Sequence, residues 1–175
     1  KDKEISNKLS EDVSEMEKML NEYLQFAKSQ FSEKTYRFNI SNLINETIGE
    51  YQNENITQSL IENVYLNGRK NLIKRCLNNL IDNSLKYSKL LNININKSNN
   101  HIIIILDDDG PGIPKNEYEN VFKPFYKIDK SRGDSKSSVG LGLSIASDVI
   151  RSHGGNINLD KSPLNGLRVK ILLPF

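Results

Sequence analysis

The sequence of 175 residues contains no tryptophan, only five prolines and a single cysteine, Cys76. One cysteine cannot form an intrachain disulfide or a cysteine-rich zinc site. No segment approaches the roughly 20 consecutive apolar residues that a membrane span needs, and the charged N-terminus lacks the apolar stretch of a signal peptide. We therefore expect the chain as given to be soluble and cytoplasmic.

The sequence also lacks a strong excess of charge of either sign. Its 24 Lys and Arg residues and 22 Asp and Glu residues give a formal net charge of +2, whereas nucleic-acid-binding domains usually carry a pronounced basic surface. We expect no nucleic-acid partner. The length suffices for one domain with its own core and a short additional segment, and it excludes two large domains.

Near the N-terminus, apolar residues recur at intervals of four or three, which predicts a helix with one narrow seam. A helix packed against its own domain usually has a wider apolar stripe. A helical bundle or a dimer is therefore the favoured interpretation. The seam residues are Ile5, Leu9, Val13, Met16, Leu20, Tyr23 and Ala27.

Shorter elements are predicted between this seam and the middle of the chain. Residues 31–40 are predicted to be an extended link, and a helix follows from Ser41, whose hydroxyl is a candidate N-cap, to about Tyr51. Residues 56–64 are predicted to form a strand. Asn67-Gly68, which comes next, has the composition of a turn.

The remaining sequence alternates helices with strands. Helices are predicted at residues 70–87 and 141–153, and strands at residues 92–96, 101–106, 156–160 and 168–173. The continuous apolar run from His101 to Leu106 is typical of a central strand that is covered on both faces. Because the last two strands form an antiparallel hairpin, the predicted fold class is α/β, a two-layer sandwich with a mixed sheet.

Three groups of residues in this framework suggest chemistry. Asn79 and Asn83 lie one turn apart on the helix of residues 70–87, followed by Lys86 and Tyr87, so that two amide oxygens share one face with an ammonium group nearby. Amide oxygens can bind a hard cation such as Mg²⁺. A solvent-exposed face in an asparagine-rich chain is the alternative, and for any single asparagine it is the favoured one.

The second group is Asp108-Asp109-Gly110-Pro111-Gly112 with Ile113, directly after the apolar strand. A carboxylate there can accept a hydrogen bond from an amine, and the glycines let backbone approach a flat ligand. A tight turn is the alternative. Three successive carboxylates, Asp107 to Asp109, favour the ligand interpretation, because their repulsion and desolvation are costly unless a cation or ligand uses them.

The third group is Gly140-Leu141-Gly142-Leu143 at a helix start, where exposed N–H groups can bind phosphate. A single Gly-x-Gly is a weak signal, and no strand leads into it as the dinucleotide fingerprint requires. Before it lies a basic loop with Lys127, Lys130, Arg132 and Lys136. This loop either closes over an anionic ligand or is an ordinary solvated surface loop.

Taken in order, these groups resemble the boxes of the ATP-binding catalytic domain of sensor histidine kinases, in the GHKL superfamily, over residues 41–175. Asn79 to Asn83 with Lys86-Tyr87 is similar to the N box, and Asp108 to Gly112 to the G1 box. Phe122-Lys123-Pro124-Phe125-Tyr126 is similar to the F box, and Gly140 to Leu143 to the G2 box. Asn165-Gly166 before the last strand is similar to the remaining, loosest element.

The resemblance implies the Bergerat ATP-binding fold, with ATP and Mg²⁺ as cofactors. Asn79 and Lys86 would act at the phosphates as catalytic residues, Asn83 would bind Mg²⁺, and Asp108 would accept the adenine amine. The nucleotide would further be contacted by Lys86, Tyr87, Gly110, Gly112, Ile113, Phe122, Phe125, Lys130, Arg132, Gly140, Leu141, Gly142 and Leu143. Ser138 departs from the glycine that the family often has there.

The N-terminal segment, Val13 to Leu24, resembles the second helix of the dimerisation and phosphoacceptor hairpin of osmosensor-type kinases. This divides the chain into a hairpin helix (1–30), a linker (31–40) and a catalytic domain (41–175). Since His101 and His153 have structural positions, the chain is expected to begin inside the hairpin, after the phosphoacceptor histidine, and not to phosphorylate itself.

The resemblance further implies a parent kinase anchored in the bacterial inner membrane. It would be a homodimer with a response regulator as partner. One alternative is a nucleotide-binding regulatory module without transfer activity. Another is a different GHKL enzyme, such as a mismatch-repair, chaperone or topoisomerase ATPase or an anti-sigma serine kinase. The bundle helix argues against these enzymes, and the hydrolases usually have a catalytic glutamate where Asn79 stands.

Overall fold

The computed structural model describes residues 33–52, 55–128 and 140–175, together with positions 5–7, 9–10, 13–14, 16–17, 20–21, 23–24 and 28. Every described position between 5 and 28 is helical, as the seam predicts; Ala27 lies outside the described residues. The seam side chains are strongly exposed, from 48% for Tyr23 to 66% for Met16. Among all the residues that the structure describes, no helix is long and apolar enough to cross a membrane.

In the part of the chain that the structure describes, seven strands form two sheets. A five-stranded sheet has the order β2-β4-β5-β7-β6, in which only β2 and β4 are parallel; a separate antiparallel pair joins β1 and β3. The mixed sheet is thus confirmed. The strands are β1 (Tyr36–Asn39), β2 (Ile56–Ser59), β3 (Tyr65–Gly68), β4 (Leu91–Lys97), β5 (His101–Asp108), β6 (Asn156–Lys161) and β7 (Leu167–Pro174).

Among residues 33–52, 55–128 and 140–175, three α-helices complete the sandwich: α1 (Ile40–Gly49), α2 (Lys70–Tyr87) and α3 (Gly142–Ser152), with short 3₁₀ helices at Lys115–Glu117 and Asn120–Phe122. Helix α2 packs on both other helices and on β4, and α3 packs on β6. Helix α3 begins beside Asn79 and ends beside Arg69, so it runs antiparallel to α2. These contacts place the first predicted group, Asn79 and Asn83 on α2, beside the third, at the start of α3.

The central strand β5 is covered on one face. Ile102, Ile104 and Leu106 are at most 1% exposed, while Ile103 and Ile105 between them are only half-buried. The prediction that this strand is covered on both faces is therefore wrong. Alternate side chains of a strand point to opposite faces. The face with Ile102, Ile104 and Leu106 belongs to the hydrophobic core, and the face with Ile103 and Ile105 does not.

Three local predictions in the first third of the described domain are also wrong, in whole or in part. Helix α1 is capped by Asn39, whose side chain accepts a hydrogen bond from the Asn42 N–H; the Ser41 hydroxyl instead donates to the Ile61 carbonyl at 2.6 Å. Asn67-Gly68 ends strand β3 rather than forming a turn. The predicted strand at 56–64 ends at Ser59, and the chain turns near Asn63, which has a positive φ of 60°.

Helix α2, which carries the first predicted motif, is capped from outside. Its N-cap residue Arg69 makes no side-chain capping bond. The Glu33 carboxylate instead accepts hydrogen bonds from the N–H groups of Asn71 (2.7 Å) and Leu72 (3.1 Å). Residue 33 and strand β1, both in the predicted link, thus contact the domain directly and satisfy amides that the helix leaves unpaired.

Candidate functional site

Asp108 ends the central strand β5, and its side chain is almost completely buried. The Oδ1 atom accepts two backbone hydrogen bonds at 2.9 Å, one from the Gly110 N–H and one from the Leu167 N–H. Within the described part of the chain, Oδ2 accepts none. One carboxylate oxygen is therefore held by the backbone, and the other remains available to a donor on a ligand.

The neighbouring carboxylates have partners of their own. Asp107 forms a two-point pair with Arg168, with N–O distances of 2.7 and 2.8 Å. Asp109 Oδ1 accepts the N–H groups of Leu90 and Lys89, and these two bonds lower the pKa of Asp109. The argument that three successive carboxylates require a cation or ligand is therefore wrong, because protein groups hold each one separately.

The loop after Asp108 lies close to two other elements. A Cβ atom added at Gly110 would lie 2.9 Å from the Tyr87 carbonyl oxygen, at the end of α2. Gly112 has a φ of +70°, and a Cβ there would lie 3.4 Å from the Gly166 carbonyl oxygen. A Cβ at Gly166 would collide with Asp108 and with the Gly110 nitrogen. The loop that follows Asp108, the end of α2 and the turn between β6 and β7 therefore meet around the Asp108 carboxylate.

On helix α2, Asn79 lies beside the start of α3. A Cβ added at Gly142 would lie 3.8 Å from the Asn79 carbonyl oxygen. Asn79 Nδ2 is buried and has no hydrogen-bond partner among the described residues. A buried donor without a partner is costly, so this atom fits a ligand acceptor, such as a phosphate oxygen. Asn83, one turn later, is half-buried.

At the end of α2, Lys86 and Tyr87 are both exposed. The Lys86 ammonium lies 5.3 Å from the centre of the Tyr87 ring, so the structure places it over its neighbour. An open surface pocket beside them is lined by Tyr87, Ser88, Lys89, Asp109, Gly110 and Pro111. The sequence analysis did not select Ser88 and Lys89. Their position directly after Tyr87 is the signal that could have identified them.

The helix start at α3 presents backbone and not side chains. Leu141 is 2% exposed, and the side chains of Leu143 and Ile113 pack against the core. No side chain among the described residues caps α3, so its first N–H groups are unpaired, as anion binding at a helix N-terminus requires. Leu141, whose side chain is buried, can thus contact a ligand here only through its backbone.

The F-box residues lie next to this helix start. Phe122 is half-buried against the core, whereas Phe125 is 55% exposed. The Phe125 N–H donates to the Gly140 carbonyl at 2.9 Å, and Gly140 has a φ of +74°. The predicted contacts Lys130 and Arg132, and Ser138, lie outside the described residues.

Together these groups suit a nucleotide. The free carboxylate oxygen can accept an amine, and the unpaired amides of α3 with the Asn79 amide can bind phosphates. No group of three or more His, Cys, Asp or Glu side chains within the described ranges could hold a metal ion by itself. A divalent cation at this site would therefore depend on amide oxygens and on the ligand.

Comparison with known proteins agrees with this arrangement. Residues 68–175 match the family described as histidine kinase-, DNA gyrase B- and HSP90-like ATPases. The chain is 37% identical to the sensor histidine kinase CpxA of Escherichia coli K12 over 63% of this chain and 24% of the relative. It is 32% identical to the sensor histidine kinase WalK of Bacillus subtilis 168 over 94% of this chain and 29% of the relative. The chain thus spans roughly a quarter of the length of these curated relatives.

Solved structures share the fold. The mycobacterial sensor histidine kinase MprB superposes with a TM-score of 0.71 at 22% identity, covering 81% of this chain and 97% of that chain. Full-length ShkA, solved in complex with AMPPNP, superposes with a TM-score of 0.74 at 17% identity, covering 90% of this chain and 35% of that chain. The predicted fold class is thereby confirmed.

Proposed function

Because this chain belongs to the family of histidine kinase-, DNA gyrase B- and HSP90-like ATPases and is homologous to sensor histidine kinases, we propose that it binds Mg²⁺–ATP and transfers the γ-phosphoryl group to a histidine. The observation that carries the proposal is Asp108. Two backbone N–H groups hold its Oδ1, which leaves Oδ2 to accept the exocyclic amine of adenine.

The phosphates would bind at the other end of the proposed site, where Asn79 lies beside the start of α3. The backbone N–H groups at the start of α3 and the unpartnered Asn79 Nδ2 would bind phosphate oxygens. Asn83 would contribute an amide oxygen to Mg²⁺, whose remaining ligands would be phosphates and water. Lys86 reaches the phosphates only if its side chain leaves the Tyr87 ring. Mg²⁺ when bound would neutralise phosphate charge.

In phosphoryl transfer, the protein's work is positioning and electrostatic stabilisation. The acceptor would be a histidine on the phosphoacceptor hairpin of the parent kinase, from which a response regulator receives the group. His153 is unsuited as acceptor, because both of its ring nitrogens are hydrogen-bonded, Nε2 to the Arg69 N–H and Nδ1 to the Val149 carbonyl. The exposed helical seam of residues 5–24 supports a dimer of the parent through this segment.

The test is a calorimetric titration of AMPPNP into the chain, with and without Mg²⁺. Asp108→Asn puts an amide donor in place of an acceptor and should weaken binding at least about tenfold, since an unpaired buried polar group costs about 1–3 kcal/mol. Asp148→Asn, at an exposed position on α3, is the matched control and should bind like the wild type. Equal affinity of the Asp108→Asn and wild-type chains would refute the adenine assignment.

Transfer is tested separately with radiolabelled ATP and a separately produced phosphoacceptor hairpin. We expect label on the hairpin histidine and none on this chain. A chain that binds AMPPNP but never labels the hairpin would instead be a nucleotide-binding regulatory module. Stable phosphohistidine on His101 or His153 would refute the assignment of the acceptor to another segment.

A further inference from the structure

Glu117 and Tyr126 form a short hydrogen bond at the edge of the proposed nucleotide site. The Tyr126 hydroxyl donates to Glu117 Oε2 at 2.5 Å, and the Asn120 amide donates to the same oxygen at 3.1 Å. These two bonds lower the pKa of Glu117, and the bond to Glu117 raises the pKa of Tyr126. The carboxylate is therefore the charged acceptor of a strong hydrogen bond.

Glu117 belongs to the adenine side of the site. It ends the 3₁₀ helix Lys115–Glu117, which directly follows the loop from Asp108 to Pro114. The Glu117 N–H donates to the Pro114 carbonyl at 2.8 Å, and Ile113 packs against the core. The carboxylate is thus fixed to the loop that carries the proposed adenine acceptor.

Tyr126 belongs to the phosphate side. The preceding N–H, that of Phe125, donates to the Gly140 carbonyl, and a Cβ added at Gly140 would lie 3.0 Å from the Tyr126 carbonyl oxygen. Gly140 immediately precedes Leu141, the N-cap of α3. The backbone around Tyr126 is therefore packed against the turn that leads into the phosphate-binding amides.

We infer that Glu117 and Tyr126 are positioning residues that hold the phosphate-binding start of α3 in place relative to the adenine loop. This inference rests on the proposed function and adds two residues to it. Neither side chain needs to touch the nucleotide, since each acts through the backbone to which it is attached. Triphosphate binding should depend on this hydrogen bond, and binding of the adenine moiety should not.

The variants that test this are Tyr126→Phe and Glu117→Ala, each with a matched control. Tyr118→Phe removes a nearby hydroxyl that has no hydrogen bond within the described part of the chain, and Glu119→Gln changes an exposed carboxylate two residues from Glu117. Binding of AMPPNP with Mg²⁺ is measured by calorimetry, and binding of adenosine by chemical-shift titration. The thermal midpoint of each variant shows that it is folded.

Tyr126→Phe should weaken AMPPNP binding about three- to tenfold, the size of one ordinary intramolecular hydrogen bond, with adenosine binding unchanged. Glu117→Ala should do the same, and the double variant should be no weaker than either single one, because both remove one interaction. Glu117→Gln keeps an acceptor oxygen and should recover most of the loss. The two controls should bind like the wild type.

Unchanged AMPPNP binding in Tyr126→Phe would overturn the inference, and so would equal losses for AMPPNP and adenosine, which a general structural role would produce. Additive losses in the double variant would also contradict it. A wild-type chain that binds neither ligand would refute the proposed function itself. That outcome is recognisable before any variant is compared.

Discussion

The Asp108 carboxylate and the Leu167 N–H are joined by a 2.9 Å hydrogen bond across 59 residues of sequence. The bond is possible because β5 and β7 are neighbours in the sheet, so that the end of one strand lies beside the start of the other. The orientation of the proposed adenine acceptor therefore depends on the last hairpin of the chain.

Gly166, the residue before Leu167, is predicted to tolerate no side chain. Gly166→Ala would place a methyl group against Asp108 and the Gly110 nitrogen, so it should destabilise the fold by about 1–3 kcal/mol and abolish AMPPNP binding. Gly49→Ala is the control, because nothing lies within 4 Å of a Cβ there. Urea unfolding and calorimetry measure both effects, and a Gly166→Ala chain that binds normally would contradict this account.

Asn79→Ala should separate binding from stability. It removes a buried amide donor that has no partner within the described ranges, so the free energy of unfolding without ligand should stay the same or rise by up to about 1 kcal/mol. AMPPNP binding should fall about tenfold, because a phosphate contact is lost. Asn71→Ala, at an exposed position on the same helix, should change neither binding nor, by more than helix propensity explains, stability. A strong destabilisation by Asn79→Ala would show that the amide has a structural partner.

Acid should weaken the fold through His153. Burial lowers its pKa below the ordinary value of 6.5, and the neutral ring accepts from the Arg69 N–H and donates to the Val149 carbonyl. The unfolded chain therefore takes up the proton first. The contribution to stability is complete above pH 6.5 and is lost as the pH falls from there to the folded-state pKa.

The measurement is urea unfolding across this interval for the wild type and His153→Gln, with the histidine pKa followed by NMR. The variant should be less stable at neutral pH but should show a flatter dependence on pH. A folded-state pKa of His153 at or above 6.5 would be incompatible with this prediction.

Glu33 should stabilise helix α2 from outside the helix. Glu33→Ala removes the acceptor for the Asn71 and Leu72 N–H groups and should cost about 0.5–2 kcal/mol, as for other N-cap side chains. Those two amides should also exchange hydrogen faster. Glu46→Ala is the control, since Glu46 is exposed and, among the described residues, its carboxylate pairs with the Lys70 ammonium at 3.4 Å, so about 0–1 kcal/mol is expected. Equal costs for the two variants would argue against a capping role.

Several elements could be predicted from the sequence because their side-chain periods are strong. Helix α2 has the predicted bounds, since its apolar residues recur with the helical period and fill the core. Strand β4 follows the alternation of Ile and Asn from residue 92 to 96. The prediction of a turn at Asn67-Gly68 is wrong because pairing of β3 with β1 outweighs the local turn propensity. No local sequence pattern reveals this pairing.

For the candidate site, the motifs indicate candidate residues but not the partners that these residues have in the fold. Asp108, Gly110 and Gly112 lie together as expected, because they fall within five residues of sequence. The pairing of Asp107 with Arg168, 61 residues away, could not be read from the sequence. Nor could the Glu117–Tyr126 bond, since each of these residues is unremarkable in its own segment. The different partners of Asp107, Asp108 and Asp109 include groups from segments distant in sequence, so the sequence alone could not assign them.

The bond between the Phe125 N–H and the Gly140 carbonyl makes this part of the chain a natural graft point. The Phe125 nitrogen and the Gly140 oxygen lie 2.9 Å apart, so a backbone hydrogen bond already holds these two points of the chain together. Closure entropy rises slowly with the number of residues between two joined points, by about 0.6 kcal/mol for each doubling. A reporter peptide inserted between Ile128 and Gly140 would be joined at Gly140 to the proposed phosphate-binding start of α3. It could therefore signal nucleotide arrival while the sheet and helices stay as they are.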